Sequence, residues 1–111
     1  MPLSARIVRP LAVLLAMALV FPALAAEDEA LLELAERSRC LTCHDLQEKL
    51  RCPPWREVAA RYRGDSGAEE RLVAKVRDGG SGNWGDEVMS PNRRVGDENI
   101  RKLVRWILTL K

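Results

Sequence analysis

The chain predicts an all-α domain of about four helices, and three observations carry that prediction. Apolar residues recur at three- and four-residue spacing in separate segments. No segment alternates apolar and polar residues over the length of a strand. Aromatic residues make up only 5% of the 111 residues, few for a core of this size, so something other than side chains fills the middle.

The first segment stands apart from the domain. Met1–Pro10 holds Arg6 and Arg9 and no acid, an uninterrupted apolar run follows from Leu11 to Phe21, and Pro22-Ala23-Leu24-Ala25 closes it. A basic start, a short apolar run and a small-x-small exit form an export leader, cut after Ala25 with Ala26 as a second choice. The same run would also serve as an uncleaved anchor, although it is short for a bilayer span. The expected division is a signal peptide at 1–25 and one domain at 26–111. Two of the 18 bases and none of the 16 acids precede residue 26, leaving 16 against 16 and no net charge in the domain. The basic balance of the whole chain therefore belongs to the leader and is no footprint of nucleic-acid binding.

Each helix has its own signal. Glu27 to about Arg39 repeats Leu31, Leu32, Leu34 and Ala35 at helical spacing behind Glu27, Asp28 and Glu29, which suit the N-terminal dipole. Pro53-Pro54 forces an extended stretch or turn, and a short helix is expected over Trp55–Tyr62. Gly64-Asp65-Ser66-Gly67 breaks the chain, with Asp65 or Ser66 available to cap a third helix over Ala68–Arg77. A last helix from Glu98 to about Leu110, capped by Asp97, turns Ile100, Leu103, Val104, Ile107 and Leu110 inward. Between the third and last helices, residues 78–92 hold four glycines and a proline. A loop that long in so small a domain, with little secondary structure expected, is usually functional.

The chemistry lies at Cys40-Leu41-Thr42-Cys43-His44. Cys-x-x-Cys-His is the attachment pattern of c-type haem: two thiols reach the two vinyl groups of the porphyrin edge, and the next side chain offers an imidazole nitrogen to the iron. His44 is the single histidine of the chain. A thioredoxin-like pair would need an α/β pattern that is absent. A zinc site from Cys40, Cys43, His44 and Cys52 has suitable ligand types but places two ligands side by side. A Cys40–Cys43 disulfide would explain neither the histidine nor the glycine-rich loop. Haem iron in electron carriers often takes methionine opposite histidine, and the one methionine outside residues 1–25 is Met89. With both axial positions filled by the chain, no site remains for substrate, which favours electron transfer over catalysis.

A helix running into Cys40-x-x-Cys43-His44, then Pro53, Trp84-Gly85, Met89-x-Pro91-Asn92 and an amphipathic last helix with Trp106 resembles the short class I bacterial cytochromes c. These are small periplasmic mono-haem electron carriers that donate to nitrite reductases and oxidases. The resemblance implies the class I cytochrome c fold, with about four helices and a methionine loop wrapped around one haem. It also implies a Pro53 carbonyl on the outer nitrogen of His44, Trp84 beside a propionate, Lys75 near the inner propionate, and Asn92 holding the methionine loop. Trp55 and Trp106 are read as packing residues. The expected cofactor is one covalent haem c with its iron. The expected partners are transient redox proteins, with no nucleic acid and no membrane span once the leader is cut. A ring of charges including Arg51, Arg56, Arg93 and Arg94 would surround the docking face.

Two departures stand out. Asp86, Glu87, Val88 and Ser90 surround Met89, where relatives often carry prolines, so a softer methionine–iron bond is expected. Cys52 replaces a small residue before the proline; it is read as a buried apolar residue, a free thiol, or the link of a dimer in an otherwise monomeric protein. The competing functions are a gas-binding sensor in which Met89 is displaced, and an electron-transfer subunit of a larger oxidoreductase.

Overall fold

The computed structural model describes the backbone of residues 9–111 and the side chains of residues 23–111. Of the leader expected over residues 1–25, residues 1–8 lie outside the described residues. Among the described residues no helix is long and apolar enough to cross a membrane. Two compact units divide the chain, one ending at Ala30 and one running from Leu31 to Lys111. The second carries the site.

Four helices form: α1 (Arg9–Arg37), α2 (Trp55–Arg61), α3 (Ala68–Asp78) and α4 (Asp97–Thr109). The helix expected from Glu27 is thus the C-terminal part of a longer one. It also ends earlier than expected, because Arg39 turns into the left-handed region at φ 63° and its N–H bonds the Glu36 carbonyl oxygen. A 3-10 turn over Cys40–Thr42 follows directly. The polar stretch behind it is folded by Asp45, whose carboxylate accepts the N–H groups of Gln47 and Glu48 at 2.8 and 2.7 Å. Those bonds hold the Asp45 carboxyl below its ordinary range. Trp55 N–H to Asp45 O and Arg56 N–H to Leu46 O then dock the loop on the start of α2.

Two caps differ from expectation. Asp97 is the first helical residue of α4 and no side chain caps that helix; its carboxylate instead accepts from Arg77 at 3.1 Å. Helix α3 follows Gly67, again with no side-chain cap, while Asp65 takes the Gly67 N–H one residue earlier.

The core is in two parts. Ala35, Trp55, Val58, Leu103, Trp106 and Ile107 form the larger cluster, against which Leu31, Leu32, Leu34 and Leu110 pack. Trp106 meets Trp55 edge to face, centroids 5.8 Å apart. Val73, Ile100 and Val104 form the smaller cluster between α3 and α4. Its rim is tied by ions: Glu69 accepts from Arg101 at 2.7 Å and from Arg105 at 2.9 Å.

The glycine-rich segment is more ordered than its composition predicts. Strands β1 (Gly80–Gly82) and β2 (Gly85–Met89) pair antiparallel, with Gly82 opposite Gly85 and Gly80 opposite Met89. The two-residue turn Asn83-Trp84 joins them, and positive φ at Gly82 and Gly85 fits that tight reversal. The alternation signal is missing because the strands are almost wholly exposed, so no face selects apolar residues. The domain is helical with one small ribbon.

Candidate functional site

The site is built on the turn after α1. His44 is set by two neighbours. Its Nδ1 lies 2.8 Å from the Pro53 carbonyl oxygen, and its ring stacks on Trp55 with centroids 5.7 Å apart and planes 29° off parallel. A carbonyl oxygen can only accept, so Nδ1 carries the proton and Nε2 keeps its lone pair. Burial lowers the His44 pKa from its ordinary 6.5, opposed by the Pro53 bond, and the ring stays neutral. A neutral imidazole with a free Nε2 is a metal ligand in waiting.

The cysteines sit close by. Cys40 and Cys43 are half-buried and Cys52 is buried. Burial pushes the Cys40 and Cys52 thiols up. The Cys52 N–H donates to the Cys43 carbonyl oxygen at 3.0 Å, so the chain after the motif folds back onto it. Among the described residues no three His, Cys, Asp or Glu side chains converge to hold a bare ion, which leaves the zinc alternative without a site.

Across from this turn lies the ribbon. Gly79 ends α3 at φ 72°, and a Cβ there would fall on the Met89 carbonyl oxygen and 2.9 Å from the Pro91 nitrogen. Only glycine lets the segment after Met89 cross the helix end so closely. Asn92 fastens that crossing: its N–H bonds Val76 O and Arg77 O, and its amide donates to Ser90 O at 2.9 Å and Val76 O at 3.3 Å. Val88, one residue before Met89, is 65% exposed.

These walls enclose one cavity of about 630 Å³, within the usual range for a cofactor. Cys40, Cys43, His44, Pro53, Lys75, Trp84, Met89 and Asn92 all line it. Leu72, Val76, Leu103, Val104 and Ile107 supply an apolar lining from α3 and α4. Trp106 does not reach it and packs behind Trp55. Two thiols, an oriented imidazole, a thioether and an apolar slot are what a covalent haem asks of a chain, and the residues fit that group.

Some contributors carry no legible sequence signal. Arg61 lies over the Trp84 ring, 4.4 Å from its centroid, and donates to the Asn83 carbonyl oxygen, tying the hairpin tip to α2. Arg51 and Glu87 join at 2.7 Å, linking the loop after His44 to β2. Nothing local marks either contact, since the partners stand 22 to 36 residues apart. Arg93, one of the charges expected around the docking face, pairs with Asp78 at 2.9 Å.

A small helical fold around a cavity with this donor set defines a haem protein of the c type. Residues 33–111 match the cytochrome c family, and the chain belongs to that family. It holds one covalently attached haem c with its iron and serves as an electron carrier. The chain is 46% identical to cytochrome c-551 of Allochromatium vinosum over 94 residues, covering 83% of this chain and 100% of that protein. The crystal structure of wild-type cytochrome c552 of Nitrosomonas europaea superposes with a TM-score of 0.69 at 38% identity, covering 71% of this chain and 98% of that one. The class 1 cytochrome MtoD of Sideroxydans lithotrophicus ES-1 gives 0.63 at 31% identity, covering 74% and 94%.

Proposed function

We propose that Cys40 and Cys43 form the two thioethers to haem c and that His44 and Met89 are the axial ligands of its iron. When bound, haem c supplies a one-electron couple. The chain's own residues set its surroundings. The Pro53 carbonyl holds the His44 ring and directs Nε2 toward the cavity, while the Trp55 face keeps that ring from turning. Gly79 and Asn92 hold the far end of the Met89 segment. With both axial positions taken by the chain, no open site is left for a reactant, so the protein is a carrier and not an enzyme. Lys75 and Trp84 offer an ammonium and an indole N–H at the cavity wall, suited to carboxylates of the porphyrin.

The carrier works outside the cytoplasm, exported by the leader at 1–25 and cut after Ala25, and remains a monomer. Electrons cross at the mouth of the cavity, where Val88 is 65% exposed beside the Arg51–Glu87 pair. A small apolar patch with charges at its side suits brief docking of redox proteins.

The single observation that carries this reading is the one cavity that gathers Cys40, Cys43, His44 and Met89. Intact mass joined to a pyridine haemochrome spectrum is expected to show one covalent haem on a chain beginning at Ala26. Met89→Ala is expected to lose the weak thioether–iron absorption band of the ferric protein and to bind carbon monoxide when reduced. Native protein that binds carbon monoxide as readily as Met89→Ala would overturn the carrier and favour the gas sensor.

A further inference from the structure

Haem attachment uses two of the three cysteines, and the fold places the third against one of those two. The Cys52 N–H bonds the Cys43 carbonyl oxygen at 3.0 Å, which sets the two residues side by side. Both side chains line the cavity, and both are free thiols. The other motif cysteine is turned elsewhere: the Cys40 thiol faces the Ser38 carbonyl oxygen at 4.0 Å. The loop that brings Cys52 to Cys43 is held by contacts within itself, His44 Nδ1 to Pro53 O, Trp55 N–H to Asp45 O and Arg56 N–H to Leu46 O. None of these reaches across the cavity.

We propose that Cys43 and Cys52 form a disulfide in the exported chain before haem is attached, so that Cys52 competes for the Cys43 sulfur. The inference rests on the reading of Cys43 as a thioether. Two S–H bonds break and one S–S bond forms; two electrons and two protons pass to a disulfide-bearing oxidant, which leaves as a dithiol. An exporting compartment holds such oxidants. While the bond lasts, Cys43 has no S–H to add across a vinyl group, so attachment waits on exchange with a reducing dithiol. Once the thioether is made, Cys43 is consumed and Cys52 remains as a buried thiol, 7% exposed. Cys52 is then a redox gate on loading and has no part in electron transfer.

The test uses the full chain exported from a bacterial host that attaches c-type haem. Cells are quenched in acid, free thiols are alkylated, haem-free and haem-bearing chains are separated, and each is digested without reduction for mass mapping. The haem-free fraction is expected to contain a Cys43–Cys52 cross-linked peptide, lighter by two hydrogens than its reduced parts, and Cys52→Ser is expected to lose it. Cys40→Ala, which keeps only these two thiols, is expected to form the same cross-link. In the haem-bearing fraction Cys52 is expected to take the alkyl label after unfolding. A haem-free fraction with Cys52 alkylated, in both the native chain and Cys40→Ala, would overturn the gate and leave the thioether reading standing. Haem found on Cys52 instead of Cys43 would overturn that reading itself.

Discussion

Arg39 ends α1 in the left-handed region, φ 63°, where a side chain costs about 1–2 kcal/mol. Glycine would remove that cost and return part of it as chain entropy in the unfolded state. Arg39→Gly is therefore expected to stabilise the protein by about 0.5–1 kcal/mol, a rise of a few degrees in the thermal midpoint. Arg61 offers a second test at this scale. It stacks on Trp84 and bonds the carbonyl before it, contacts worth about 1–2 kcal/mol together. Arg61→Gln is expected to cost about that much in denaturant unfolding and to speed hydrogen exchange at the hairpin tip, with α4 unchanged. His44 was legible as a residue from its place in the motif. The Pro53 carbonyl on its outer nitrogen was implied by the resemblance, whereas the stacking of its ring on Trp55, eleven residues away, was not legible.

The ribbon and the end of α3 act as one element. Gly79 at φ 72° and the Asn92 bonds to Val76, Arg77 and Ser90 fix where the strand carrying Met89 leaves the helix. Gly79→Ala would combine a forbidden backbone conformation with a Cβ placed on the Met89 carbonyl oxygen. A loss of about 2–4 kcal/mol is expected, together with weakening of the thioether–iron band, both read in one thermal melt followed by absorbance. The helices were legible because α2, α3 and α4 carry their apolar residues at helical spacing, and their observed ends fall within a residue or two of expectation. The ribbon was not. Its pairing is specified by backbone bonds between exposed glycine-rich segments, which leave no periodic trace in the side chains.

At the scale of the molecule, the cavity governs stability. Without the haem, the slot of about 630 Å³ would leave Leu72, Val76, Leu103, Val104 and Ile107 facing water, where their apolar surface no longer contributes to stability. The protein cannot keep this shape on side chains alone, in line with its 5% aromatic content. Removal of haem is expected to abolish the cooperative thermal transition and the near-ultraviolet circular dichroism, and to leave much of the helical signal. The turn from Cys40 to Arg56 is expected to outlast the rest in hydrogen exchange, since its bonds do not cross the cavity.

The sequence by itself determined the cofactor chemistry and the helical class. Covalent attachment needs a fixed local spacing, and helices write their buried face into a local period. It also pointed to Cys52 and the acidic residues before Met89 as departures, without saying what they touch. Only the tertiary structure decided that Glu87 meets Arg51, that Trp84 lies under Arg61, that Asp97 serves Arg77 and caps nothing, and that the Cys52 N–H bonds the Cys43 carbonyl oxygen. The physical reason is distance along the chain. Most of these contacts join residues 20 or more apart, and even the nine-residue step from Cys43 to Cys52 exists only once Pro53, Asp45 and Leu46 have closed the loop.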